Sequence, residues 1–195
     1  MALSTNASVG LGFLGFDDHT ERISLKWVGP GLVESSENIL RKTEVFFICP
    51  SSQINAIKAN VLNSEDTAAR VVGNKLNLDY LVTGRYSLNK NLLFFDGELI
   101  SVKESDSVKK FNIQAEPTNF LSLQSQLIDY IIILTGIKSL PEIDRFLSKP
   151  RTYSNDSYGS YAMGSYYLSR NDLIKAAFSF KRAYEIDNSF SDAVF

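Results

Sequence analysis

The sequence predicts an α+β chain: a small α/β domain with a mixed sheet, in the order β-α-β-α-α-β-β-β-α, followed by an all-α helical hairpin. Three observations predict it. Short apolar runs and helical periodicities alternate through the first eighty residues. Three extended segments separated by turn residues then fill positions 80 to 115, the mark of an antiparallel meander. Finally, the last forty residues alternate small and bulky side chains at helical spacing.

Val9 to Phe16 (VGLGFLGF) is a short apolar run bounded by Asp17-Asp18 and reads as a buried first strand. In Ile23 to Lys42, residues Leu25, Val28, Leu32, Ser36, Ile39 and Leu40 lie near helical spacing. Pro30 interrupts that pattern, so the main helix is expected to begin around Gly29-Pro30, where a missing N–H does no harm. Val45 to Cys49 (VFFIC) is a second strand closed by Pro50, and Ser51-Ser52 cap a short helix through Ala59. Asn63-Ser64-Glu65-Asp66 starts another helix, with Ala68, Val71, Val72 and Leu76 on one face.

The meander follows: Tyr80 to Tyr86, a turn at Asn89-Lys90-Asn91, Leu92 to Val102, a turn at Glu104 to Ser107, and Lys109 to Ala115. In the last of these, Phe111, Ile113 and Ala115 alternate with Lys110, Asn112 and Gln114, which puts one face in a core and one in water. Pro117-Thr118-Asn119 opens a helix with Phe120, Leu123, Leu127, Tyr130, Ile131 and Leu134 on a single stripe, and Gly136 is its expected stop. Residues 138 to 153, with Pro141, Pro150 and an amphipathic piece at Ile143 to Leu147, read as a joint. The division is therefore 1–137, a linker at 138–153, and a hairpin at 154–195.

In the hairpin, Asn155 or Asp156 caps a helix carrying Tyr158, Tyr161, Ala162, Ser165 and Leu168. Asn171-Asp172 turns the chain, and Leu173, Ala176, Ala177, Phe180, Ala183 and Tyr184 form the next apolar stripe. Gly164 and Ala176 allow the two helices to approach closely, while Tyr167 and Phe180 fill the groove beside them. Met163-Gly164-x-x-Tyr167, Asn171, Ala176, Phe180 and Ala183 together resemble the tetratricopeptide repeat over residues 157 to 190. Asn188 stands where that family usually has proline, and Ser191 to Phe195 looks like the opening of a second repeat. The resemblance implies a protein-binding role, with the inner-helix residues Tyr158, Tyr161, Ser165 and Leu168 as the contact surface. One repeat does not bury its own faces. Further repeats, the first domain or another copy of the chain are therefore expected to cover it.

The Val9–Phe16 strand ending in Gly-Phe-Asp, Gly31-Leu32-Val33, and above all Leu76-Asn77-Leu78-Asp79-Tyr80-Leu81-Val82-Thr83-Gly84 resemble the TolB amino-terminal domain and its FlgO-type relatives. Asn77 replaces the commoner glycine. This resemblance spans residues 9 to about 137. It implies a non-catalytic α/β domain used for protein contacts, often in the periplasm.

Composition sets the remaining bounds. The 195 residues are 44% hydrophobic and 22% charged, with 20 basic and 22 acidic residues and a net charge of −2. Such a balance offers no bulk field for nucleic acid or anionic lipid. Cys49 is the only cysteine, which excludes an internal disulfide and a cysteine-built zinc site. The longest apolar runs, Tyr130 to Leu134 and Val45 to Cys49, fall far short of the ~20 residues of a membrane span. Met1 to Asn6 carry no signal-peptide pattern.

Gly10-x-Gly12-x-x-Gly15 fits the dinucleotide fingerprint in letters only. The fingerprint needs a strand before it and a helix starting at its last glycine, so these glycines are expected inside a strand, under a neighbouring side chain. Asp17, Asp18, His19 and Glu21 read as turn formers, since His19 is the sole histidine. A serine nucleophile would need His19 as base, and no G-x-S-x-G elbow exists. Cys49 in an apolar strand is inert by default, and Trp27 reads as core. The expectation is thus no enzyme, no cofactor and no metal, but an adaptor for other proteins in the periplasm or cell envelope, with the cytoplasm as alternative. A homo-oligomer formed through the hairpin is a further expectation. The competing reading is a ligand-sensing regulatory domain with a cleft near Gly84 and Asp17.

Overall fold

The computed structural model describes residues 8–59, 65–104, 107–137, 152 and 154–190, apart from the side chains of 65–67. A five-stranded mixed sheet runs β2-β1-β3-β4-β5. Its strands are β1 (Val9–Asp18), β2 (Phe46–Ile48), β3 (Tyr80–Asn89), β4 (Leu92–Ser101) and β5 (Val108–Ala115). The helices are α1 (Val28–Leu40), α2 (Ser51–Lys58), α3 (Glu65–Lys75), α4 (Phe120–Thr135), α5 (Asn155–Ser169) and α6 (Leu173–Ile186). Strands joined through helices, β1 with β2 and with β3, are parallel. Those joined by tight turns, β3-β4-β5, are antiparallel, as connection length dictates. This is the α+β order read from the sequence.

Local chemistry explains where the elements begin and end. α1 starts at Val28, inside the periodic pattern; Ile23–Leu25 form a 3₁₀ turn instead, and Pro30 sits in the helix's first turn. β3 outruns its expected end at Tyr86 because the hairpin turn needs two residues at positive φ. These are Lys90, at φ 46°, and Asn91, at φ 69°. α3 closes on Asn77, at φ 52°. The Asn77 N–H bonds to the Asn74 carbonyl and the Leu78 N–H to that of Gly73, a Schellman end. Gly136, at φ 73°, ends α4 as expected.

β1 carries the glycines. A Cβ on Gly12 would come within 2.7 Å of the Ile54 side chain. α2 therefore presses against bare backbone there. Between Phe13 and Gly15 the pairing with β3 shifts by one residue, and Gly15 takes φ 97°. This bulge resets the alternation of the strand. Phe13 and Phe16 thereby point to the same core despite odd spacing, and Phe16 meets Phe95 edge-on at 5.2 Å.

Two cores result. The larger lies between one sheet face and α1, α4 and the hairpin, and includes Leu11, Phe13, Tyr86, Phe95 and Leu127. The smaller lies on the other face under α2 and α3, around Cys49, Ile54, Val72, Leu78 and Leu81. No helix among the described residues is long and apolar enough to cross a membrane. Ile143 to Leu147 and Ser191 to Phe195 lie outside the described residues.

Candidate protein-interaction surface on the C-terminal hairpin

The hairpin is capped at both helix starts, which satisfies backbone N–H groups that have no partner within the helix. The Ser154 side chain accepts the Ser157 N–H at 3.1 Å, and Asp172 accepts the Lys175 N–H at 3.2 Å. Serine at 154, one residue before the expected Asn155, is the cap, while Asn155 instead accepts the Leu121 N–H and ties the hairpin to α4. Asn171 turns the chain at φ 59°. The helices then close through small-against-large packing: Phe180 lies on Gly164, where a Cβ would fall 2.7 Å from its ring, and Ser157 donates to the Ala183 carbonyl at 2.7 Å. The Thr152 hydroxyl donates to Asp187, joining the segment before α5 to the end of α6.

Because α5 faces α1 and α4, the hairpin is covered by the first domain. Gly31 of α1 lets Ala162 approach so closely that a Cβ on it would lie 2.8 Å from the alanine methyl. Gly159 does the same for the Trp27 indole, at 3.2 Å. Tyr158 is the pivot. Its ring stacks on Phe120 at 5.4 Å and on Phe190 at 5.8 Å, and its hydroxyl accepts a hydrogen bond from Gln124.

Of the four expected contact residues, Tyr158 is only 4% exposed, Tyr161 and Ser165 are half-buried, and Leu168 is exposed. Tyr161 packs between Phe180 and Phe190. The structure places all four on α5 but gives the ring of Tyr158 to the joint. What the sequence reading passed over is α6. Among the described residues nine large hydrophobics are exposed, and six of them, Leu168, Leu173, Ile174, Phe178, Tyr184 and Ile186, belong to the hairpin. Ile174 and Phe178, at 85% and 69% exposure, stand opposite the buried stripe of Ala176, Phe180 and Ala183. Residues four apart are neighbours on a helix surface. That spacing, off the main stripe, was the available signal.

A second feature lies on the sheet face beside α2 and α3. An open trough of about 1000 Å³ is lined by Asp17, Lys58, Ala69, Thr83, Gly84 and Arg85, among others. Its floor carries loose pairs, Arg85 to Asp96 at 3.7 Å and Lys110 to Glu98 at 3.6 Å. Asp18, next to it, uses its carboxylate on the Thr20 N–H and hydroxyl, at 2.8 and 2.7 Å. Cys49 is buried under α2, and burial followed by the nearby Glu37 carboxylate pushes its thiol pKa up.

No family model and no curated protein matches the chain. Among solved structures it is similar to the LpoB C-terminal domain from Salmonella enterica, at 16% identity and TM-score 0.47, over 58% of this chain and 86% of that one. It is also similar to TolB from Acinetobacter baumannii, at 12% identity and TM-score 0.45, over 68% of this chain and 30% of that one. A third is lipoprotein GNA1162 from Neisseria meningitidis, at 10% identity and TM-score 0.42, over 68% and 99% of the two chains. A TolB structure thus stands among the neighbours, whereas the tetratricopeptide resemblance has no matching family model.

Proposed function

We propose that this chain is a non-catalytic protein–protein interaction module, an adaptor of a bacterial cell envelope or periplasm, and that its hairpin is the contact element. The carrying observation is the concentration of exposed large hydrophobics between Leu168 and Ile186, on helices held rigid by caps and by the Tyr158 joint. Apolar surface gathered in one place, rather than scattered, marks a binding region. Tyr161, Ser165 and Leu168 form its edge on α5, with Tyr158 as the buried support beneath them. The non-catalytic part of the reading rests on groups already engaged: Asp18 with Thr20, Glu37 with Arg41 and Ser51, and a buried Cys49. The envelope part rests on the TolB-type sequence pattern.

The test is affinity capture from envelope extracts with three baits: the wild-type chain, Ser165→Glu with Leu168→Asp, and Ile174→Asp with Phe178→Asp. A partner lost with either surface variant, while both variants melt as the parent does, supports the adaptor reading. Equal capture by all three baits sinks it.

The trough favours a second reading, in which the sheet face near Asp17 and Gly84 holds a small molecule and the chain reports its presence. A native-state ligand raises the melting temperature by mass action. A thermal-shift screen of nucleotides and envelope metabolites, repeated on Thr83→Arg, separates this reading from the first.

A further inference from the structure

β5 closes one side of the sheet, and its outer side meets no strand among the described residues. The Ser101 N–H bonds to the Ser107 carbonyl at 2.9 Å, so in this antiparallel pair Lys109, Phe111 and Ile113 turn their backbone groups toward β4. Val108, Lys110, Asn112 and Gln114 turn theirs outward. The chain itself closes one end of that edge. The Gln126 side-chain amide accepts the Gln114 N–H at 3.3 Å and donates to the Gln114 carbonyl at 3.1 Å, the two bonds that a residue of a further strand would make. Past Gln114 the edge is open. Among the described residues nothing bonds to the outward N–H and C=O groups of Asn112, Lys110 and Val108.

α4 runs back along the same edge. Tyr130 stacks on Phe111 at 5.8 Å, and the Lys109 ammonium donates to the Leu134 carbonyl at 2.6 Å. Ile133, 69% exposed and a member of neither core, stands seven residues after Gln126 and so on nearly the same side of the helix. Seven helical residues rise about 10.5 Å, the length of about three strand residues, which brings Ile133 level with Phe111.

We propose that the open edge from Val108 to Asn112 takes an extended segment of a partner protein as a further strand, with an apolar residue against Ile133 and an acidic residue against Lys110. Unpaired strand groups are met by an extended backbone, which sets the class of the occupant. Its side chains alternate between the two sheet faces. On the α4 side Ile133 offers apolar surface. On the other side Asn112 is spent on Asp96, while Lys110 is held only loosely by Glu98, at 3.6 Å. The same charge disfavours a second copy of β5, because antiparallel pairing over Val108 to Asn112 sets Lys110 against Lys110. The edge belongs to the sheet and not to the hairpin, so this site is independent of the hairpin surface.

The probe is a fluorescent peptide of about seven residues, alternating valine and glutamate, with a valine–lysine peptide as its counterpart. Anisotropy should show micromolar binding of the glutamate peptide, about fivefold tighter than the lysine peptide, and Lys110→Glu should invert that preference. Asn112→Pro deletes an outward N–H and leaves the ladder to β4 whole, so it should weaken binding at least tenfold while melting near the parent. Ile174→Asp with Phe178→Asp should bind as wild type. Hydrogen exchange places the contact: in the free chain the Lys110 and Asn112 amides should exchange fast and those of Phe111 and Ile113 slowly. Saturating glutamate peptide should slow the first pair at least tenfold. Slow exchange at Lys110 and Asn112 in the free chain means an edge already occupied and overturns the proposal. So does binding unchanged by both Asn112→Pro and Lys110→Glu, or no slowing at millimolar peptide. None of these outcomes touches the hairpin, which has its own capture test.

Discussion

The Asp79 carboxylate accepts the backbone N–H of Gly10 at 2.8 Å, and the Asp79 N–H returns a bond to the Gly10 carbonyl at 2.8 Å. This exchange fixes where β3 begins against β1, and Lys103 reaches the other carboxylate oxygen at 2.5 Å. The aspartate in Leu78-Asp79-Tyr80 is therefore a structural clasp. Asp79→Ala should cost about 1–3 kcal/mol, since it strands the N–H of the buried Gly10. Asp79→Asn, which keeps an acceptor for Gly10, should cost less, and urea unfolding ranks the two.

The same clasp has a pH signature. Although burial opposes ionisation of Asp79, the Lys103 ammonium and the Gly10 N–H together hold its pKa below the usual aspartate value. A depressed folded pKa means the stabilisation is complete above the unfolded pKa, near 4, and is lost as pH falls through the folded value. Asp79→Asn should therefore flatten the decline of stability with acid below about pH 4. Parallel acid titrations of wild type and variant, with slopes that coincide, would rule this out.

Asn77 supplies the second test. It ends α3 in the left-handed region, a conformation that glycine adopts without strain and β-branched residues resist. Asn77→Gly should change the melting midpoint only slightly. Asn77→Val should lose about 1–2 kcal/mol, the cost of forcing a branched residue to positive φ.

How much of this was written in the sequence differs by feature. The order of elements was legible because periodicity and turn chemistry agreed: Phe111, Ile113 and Ala115 alternate cleanly, and Gly136 stops α4. Pro50 likewise marked the start of α2, but Ser51 is not its cap: Pro50 takes the N-cap position without a side-chain bond, and the Ser51 hydroxyl donates to Glu37 instead. The β1 bulge was not legible, because Phe13 and Phe16 look out of step until Gly15 turns positive. Nor was the fate of Tyr158. A tyrosine on an apolar helical stripe reads the same whether it meets a partner or its own first domain, and Phe120 and Gln124, more than thirty positions away, decide it. The exposed face of α6 was spelled by Ile174 and Phe178, yet periodicity favours the stripe that holds Ala176, Phe180 and Ala183, and it also drew in Leu173, Ala177 and Tyr184, which the structure leaves exposed.

Glu37 gives a prediction of opposite sign to Asp79. It is buried between α1 and α2, where it accepts from the Arg41 guanidinium at 2.8 Å and from the Ser51 hydroxyl. Burial nevertheless dominates and raises its pKa, with Ser51 and Arg41 pulling the other way. For a raised pKa the stabilisation is complete below the unfolded value and is lost as pH climbs through the folded one. Glu37→Gln should therefore gain stability relative to wild type as pH rises from about 4 toward 7. Denaturant midpoints at four pH values would show it, and a constant offset would refute it.

The joint and the outer face of the hairpin should respond oppositely to truncation. Tyr158→Ala removes a ring that stacks on Phe120 and Phe190 and leaves Gln124 without its partner hydroxyl. A loss of about 3–5 kcal/mol is expected. Tyr158→Phe keeps both stacks and gives up the buried hydrogen bond from Gln124, a cost of about 1 kcal/mol. Ile174 is 85% open to solvent. Ile174→Ala should stay within about 0.5 kcal/mol of wild type. Hydrogen exchange distinguishes the reasons. Amides of α5 and α6 should lose protection together in Tyr158→Ala, because the hairpin then lacks the cover that α1 and α4 provide, while the sheet amides keep theirs. If the sheet loosened to the same extent, the hairpin and the sheet would be one cooperative unit, and Tyr158 would hold the whole fold together instead of seating the hairpin on it.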